Sequence, residues 1–294
     1  MTPSLDMYRT QSTWTDPGRF ASLLAAIPLE PSRVVDAVSG LLLHPFLAPM
    51  FGMFMPATSS DDRMIRSVEA LLARLVARDA SPLTEPRASE ARGFCVCAGF
   101  ARVATAVFRS HAVPARCRVG FAAYFSPTLE DHWVCEYWDG SAWRLLDAQL
   151  GPHTARDPAI AFSPIDVPRD QFLDASTAWR RMRAGELDPA TMGLSVLGLT
   201  GAWFVAGNVM LDAASLNLEE MLPWEKWSVG RDLGPGSTVP PALAERFDDV
   251  AAQLAGSPDA TTAARIYREH EWLRVTPTVL SFAEHPPAEV PGHR

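Results

Sequence analysis

Three short segments, CRVGFAAYF, DHWVCEYW and AWRLLDAQL, follow one another within residues 117–150, separated only by the turn sequences SPTLE and DGSA. Each is aromatic or β-branched and bounded by turn formers, so they read as three strands of an antiparallel sheet. Immediately before them, CAGFARVATAVFRSHAVPAR places Phe100, Val103, Val107 and Phe108 at helical spacing, with Pro114 as the stop. Helix followed by meandering strands predicts an α+β core.

Helical patterning flanks this core on both sides. FASLLAAI and SRVVDAVSGLLLH read as short helices. DDRMIRSVEALLARLVARD carries Met64, Ile65, Val68, Leu71, Leu72, Leu75 and Val76 on one face, led in by Ser59, Ser60 and Asp61 as caps. SPLTEPRASEARG is a surface loop. DASTAWRRMRAGELDP predicts a helix with a Gly and Pro stop, and VPPALAERFDDVAAQLAGSPDATTAARIYREHEW predicts two more. There is no internal repeat, low-complexity tract or convincing linker. The expectation is one domain over 1–294, with a core at about 61–150 and helical additions at 1–60 and 151–294.

Two uncharged stretches raise the question of a membrane. Ala37–Ser60 is broken by His44, Pro45, Pro49 and Pro56. Pro189–Leu211 is long enough to span, but its glycines and polar residues favour a buried Gly-rich helix or helix pair. The formal charge of -8, with no basic run, argues against nucleic acid and anionic membranes as partners. The first twenty residues hold no basic region followed by an apolar core, so a secretory signal is not expected. Four cysteines in 294 residues do not make a disulfide framework, so reduced thiols and a cytoplasmic location are the expectation.

Those thiols point to chemistry. A cysteine attacks acyl carbon only as thiolate, which needs a positive field and a base. Cys97 stands where the predicted helix begins, facing unpaired backbone N–H groups. His132, among only seven histidines, opens a predicted strand, and Asp147 ends the next. A hairpin brings those two positions close together, and a carboxylate there would fix the imidazole tautomer and stabilise the imidazolium. Cys97, His132 and Asp147 are therefore the candidate catalytic residues.

The spacing of these residues resembles the transglutaminase-like branch of the papain-like cysteine enzymes. Cys97 precedes Arg116 of AVPAR by nineteen residues, with Ala101 and Arg109 between them. His132 and Glu136 are four apart, as are Trp143 and Asp147. The resemblance is strongest from Gly93 to Gln149. TDPGRF, GLLLH, EDHWVCEYWD, LDAQL and GAWFVAGNV…LNLEEMLPWEKW extend it toward a bacterial transglutaminase-domain subgroup of unassigned activity. The chain departs from that pattern at Cys95, Ala98, Gly99, Trp133 and Leu211-Asp212-Ala213-Ala214. The resemblance implies a papain-like or transglutaminase-like fold, a helix bearing Cys97 packed on an antiparallel sheet bearing His132 and Asp147. It further implies acyl transfer through a covalent acyl-enzyme, with no cofactor and no metal.

Alternatives stay open beside it. The acyl acceptor is water in an amide hydrolase, or an amine in an amide- or lactam-forming acyltransferase of specialised biosynthesis. The substrate is a small molecule or peptide, free or bound to a carrier as a thioester. A scaffold that binds without catalysis is the remaining class. Cys117 and Cys135 read as buried strand residues, and Cys95 as a pocket residue or a resolving thiol for Cys97. A zinc site using the four cysteines and His132 has unfavourable spacing. Glu136 and Trp143 are expected to brace the sheet, Asp131 to be a solvated turn residue, and His44, His111 and His153 to be structural or exposed. Met50, Met53, Met55 and the nearby phenylalanines either fill core or form an apolar lip.

Overall fold

The three expected strands form as Ala115–Ala122 (β1), Leu129–Trp138 (β2) and Trp143–Leu146 (β3). In this computed structural model residues 3–47, 60–152, 160–281 and 288–289 are described, and they give a mixed α/β fold of helices around a central sheet. Three strands not foreseen from the sequence complete that sheet: Phe172–Asp174 (β4), Met192–Leu194 (β5) and Leu199–Thr200 (β6). The order is β4-β1-β2-β5-β6, with β3 also paired to β2. Antiparallel pairing holds between β2 and β3 and between β1 and β4. It fails at one place, because Leu129 and Glu130 pair in parallel with Met192 and Gly193. The long excursion of chain between β2 and β5 permits that direction, whereas tight turns permit only the antiparallel one.

The chain divides into two compact units. One is Met1–Cys117 with Trp133–Pro168, and the other is Arg118–His132 with Arg169–Arg294. Strands β1 and β2 each carry residues of both.

The first unit contains the helices Pro31–Leu41 (α1), Val68–Arg78 (α2) and Cys97–Ser110 (α3). Helix α2 starts later than the apolar spacing predicts. Ser67, in extended conformation, caps it by accepting from the Ala70 amide at 3.2 Å. Asp62 lies upstream in a separate short helix, Ser60–Arg63, and its buried carboxylate serves another purpose. It takes both Arg78 Nη1 and Nη2, at 2.6 and 3.0 Å, together with the Phe94 amide at 3.1 Å. Ser59 lies outside the described residues.

Helix α3 is buried from Cys97 through Arg109 and carries the core of this unit, where Phe108 stacks on Tyr137 at 4.5 Å. Two arginines inside that helix would be costly without partners. Arg109 donates to the Ala115 carbonyl and the Thr15 hydroxyl, both at 2.9 Å, and Arg102 donates to the carbonyls of Ala98 and Arg66.

The second unit contains Ala175–Arg183 (α4), Ala202–Ser215 (α5), Pro241–Leu254 (α6) and Ala260–Glu269 (α7). Asp174 caps α4 and Asp259 caps α7 through carboxylate oxygens. The Pro189–Leu211 stretch is not one helix. Its first half is the β5–β6 hairpin, and α5 begins only at Ala202. Gly198 and Gly201 sit at φ +65° and +130°, conformations that stop a helix from starting earlier. Arg118 binds this unit together from β1. It grips both oxygens of Asp212 on α5 at 3.0 Å, donates to the Gly256 carbonyl at 2.6 Å and lies 3.7 Å from Asp174. Among the described residues no helix is long and apolar enough to cross a membrane. Met50, Met53, Met55 and His153 lie outside the described residues.

Candidate active site

Cys97 is the first residue of α3 and is buried, at 6 % exposure. Val96 before it is extended and makes no side-chain cap, and the Gly99 amide turns back to the Val96 carbonyl at 2.8 Å. Cys95 lies two residues earlier in the apolar core. Burial pushes its thiol up to about 12, against the opposing pull of Arg102. The residue is buried, at 4 % exposure. None of the four cysteines is in a disulfide. Cys117 lies 3.3 Å from the Thr105 hydroxyl, and burial pushes Cys135 up to about 12. Both are the buried strand residues expected.

Asp147 follows directly on β3 and is buried. A tight turn holds it: its amide donates to the Pro164 carbonyl at 2.8 Å, and its Oδ1 accepts from the Gln149 amide at 2.9 Å. Leu146, the residue before it, pairs with Cys135 of β2. Asp147 and Cys97 belong to the same unit.

His132 lies within β2 at 2 % exposure, as the last residue of the 118–132 stretch of the other unit. Three rings of that unit meet its imidazole edge-on: Phe125 at 4.9 Å, Tyr124 at 5.9 Å and Phe172 at 6.4 Å. The aromatic surround was not foreseen from the sequence. Its one signal was the Tyr124-Phe125 pair immediately before the turn that leads to His132.

Asp131 is not the solvated turn residue expected. Asn208 of α5 donates to its Oδ1 at 2.8 Å. Burial pushes the Asp131 carboxyl up to about 6, against the pull of Asn208 and His132.

Glu136 and Trp143 brace the sheet as expected. Arg116 donates to Glu136 at 2.7 Å with both side chains buried, and its guanidinium lies 4.2 Å from the Trp143 ring and 4.9 Å from that of Tyr8. His111 pairs with the Ile27 carbonyl at 2.9 Å, and His44 packs on Phe46 at 5.2 Å. No group of three His, Cys, Asp or Glu residues suited to a metal occurs among the described residues. The second unit also holds an open cleft of about 460 Å³ between Trp179, Met182, Trp203 and Val239, and none of the predicted catalytic residues lines it.

No protein-family model matches the sequence, and no curated protein matches it. A solved structure from Cytophaga hutchinsonii, provisionally described as a cysteine protease, aligns with 60 % of this chain at 16 % identity and a TM-score of 0.33. The chain spans half the length of that protein, and a likeness this loose assigns no activity.

Proposed function

We propose that the chain is a cysteine-nucleophile acyl-transfer enzyme of the papain-like, transglutaminase-like kind, with Cys97 as nucleophile, His132 as base and Asp147 as the carboxylate that orients it. The observation that supports this most is the placement of Cys97. It opens a buried helix of 14 residues, and Val96 before it makes no side-chain cap. Backbone N–H groups there favour negative charge, first on sulfur and then on the oxyanion.

In the proposed reaction the sulfur forms a bond to the carbonyl carbon of an amide or thioester. His132 takes the thiol proton and returns it to the departing amine or thiol as the old acyl bond breaks. Water or an amine then attacks the acyl-enzyme, and Cys97 regains its proton. The acceptor decides between hydrolysis and amide formation, and incubation with an acyl thioester with and without amine separates them by product.

The catalytic reading is tested by the rate at which iodoacetamide alkylates Cys97 at pH 6, followed by intact mass and peptide mapping. Rapid labelling that falls about tenfold or more in His132→Ala is expected. Slow labelling that His132→Ala leaves unchanged sinks the reading and leaves a binding scaffold.

A further inference from the structure

Large apolar side chains that stand open to water are few here. Among the described residues they are Leu23, Leu29, Phe46, Phe125, Val196 and Leu197. Three of the six flank one buried carboxylate. Glu130 precedes His132 by two residues on β2 and points its Oε1 at the hydroxyls of Ser126, at 2.9 Å, and Thr128, at 2.6 Å. The same carboxylate takes the Ser195 hydroxyl and, through Oε2, the Ser195 amide at 3.1 Å. Phe125 adjoins Ser126, and Val196 and Leu197 follow Ser195 in the β5–β6 turn. Burial works to raise the Glu130 carboxyl, but the hydrogen bonds from Ser195, Thr128 and Ser126 outweigh it and hold it below the ordinary value. The clamp therefore stays charged, and it fastens two loops to the strand that carries His132.

What the clamp displays is apolar. Phe125 is 37 % exposed while its ring lies 4.9 Å from the imidazole, so it faces water on one side and His132 on the other. Val196 and Leu197 are 63 % and 62 % exposed. Single exposed apolar residues are ordinary on a surface, but here three are carried by loops fastened to one carboxylate. An exposed apolar ring beside a buried imidazole, with two more apolar residues held by the same clamp, is a surface for part of a ligand.

We infer that the acyl portion of the substrate is apolar and uncharged, and that it lies on Phe125 beside His132, with Val196 and Leu197 taking its far end. This rests on His132 being the base of the proposed reaction. A carboxylate or ammonium on the acyl group would be stripped of water against these side chains with no partner among them, whereas each additional methylene adds apolar contact.

Chloromethyl ketones test this directly. Thiolate displaces chloride and a carbon–sulfur bond forms, while the group on the far side of the carbonyl stands where the acyl chain would lie. The probes are chloroacetone, 1-chloro-2-octanone and 5-chloro-4-oxopentanoate, with each Cys97 rate divided by the rate for free cysteine. Chlorooctanone is expected to exceed chloroacetone by about tenfold, and the carboxylate probe to be slowest. Phe125→Ala should bring the octanone-to-acetone ratio within about threefold of unity. Phe125→Leu should restore most of it, which excludes a folding defect, and the double variant V196S/L197S should cut it partly. A ratio near one, a ratio that survives Phe125→Ala, or fastest labelling by the carboxylate probe overturns the inference, while labelling that depends on His132 keeps the catalytic reading intact. Labelling that His132→Ala leaves unchanged for all three probes removes that reading and this one with it.

Discussion

Asp131→Asn isolates one buried charge next to the proposed base. Part of Asp131 reaches the surface, but its carboxyl lies beneath it, bonded to Asn208 on α5 and neighboured along β2 by Glu130 and His132. Burial is the largest influence and pushes the group up to about 6 from an ordinary 3.8. A gap of that size corresponds to about 3 kcal/mol. For an acid held above its unfolded value, the native state keeps a proton that the unfolded state has lost. Its contribution to stability is therefore complete below about pH 4 and disappears as pH rises through 6. About 2 kcal/mol of that loss falls between pH 4.5 and 8, and the surface contact of the residue reduces it to about 1–2 kcal/mol. Asparagine can accept from Asn208 in the same place and has no charge to desolvate. Urea unfolding of both proteins across this range should show Asp131→Asn gaining about 1–2 kcal/mol on the wild type as pH rises, with the gain levelling off above pH 7. A difference between the two curves that is flat with pH, or that slopes the other way, refutes the argument that burial dominates at this carboxyl.

Two further outcomes follow from packing. A Cβ at Gly99 would stand 2.6 Å from the Cβ of Cys95, so Gly99→Ala should cost about 1–3 kcal/mol alone and much less when combined with Cys95→Gly. Additivity of the two changes within about 0.5 kcal/mol in urea unfolding would show that the contact relaxes freely. Arg118→Met should cost about 3–5 kcal/mol, because it leaves the buried Asp212 without the cation that holds both its oxygens. Adding Asp212→Leu should recover most of that loss in the same measurement, and no recovery would place the cost elsewhere.

The parts of the fold that could be read from the sequence are those fixed by neighbours along the chain. Helix α3, the three consecutive strands, and helices α6 and α7 follow from local periodicity and turn chemistry, and the structure contains each of them. What could not be read depends on distant partners. The role of Asp62 was not legible, because nothing in its surroundings along the chain announces Arg78 or the Phe94 amide. Met192–Leu194 looked like part of an apolar helix because its partner, Leu129–Glu130, lies some sixty residues away. Asp131 looked solvated because Asn208, which buries it, is farther still. Cys97, His132 and Asp147 are each buried, and burial by itself is also what plain packing gives.

Cys95 and Gly99, two of the positions at which the sequence departs from the pattern it resembles, are coupled in space. The sulfur of Cys95 lies 3.1 Å from where a Cβ at position 99 would stand, so the side chain at one position occupies the space vacated at the other. A larger side chain at position 99 would therefore need a smaller one at position 95. The chemically distinctive surface lies on the histidine side instead, where Phe125, Val196 and Leu197 face water around a charged clamp. On the proposed reading, substrate choice is to be sought along the loops that Glu130 fastens, because the apolar side chains there are exposed and Cys95 is not.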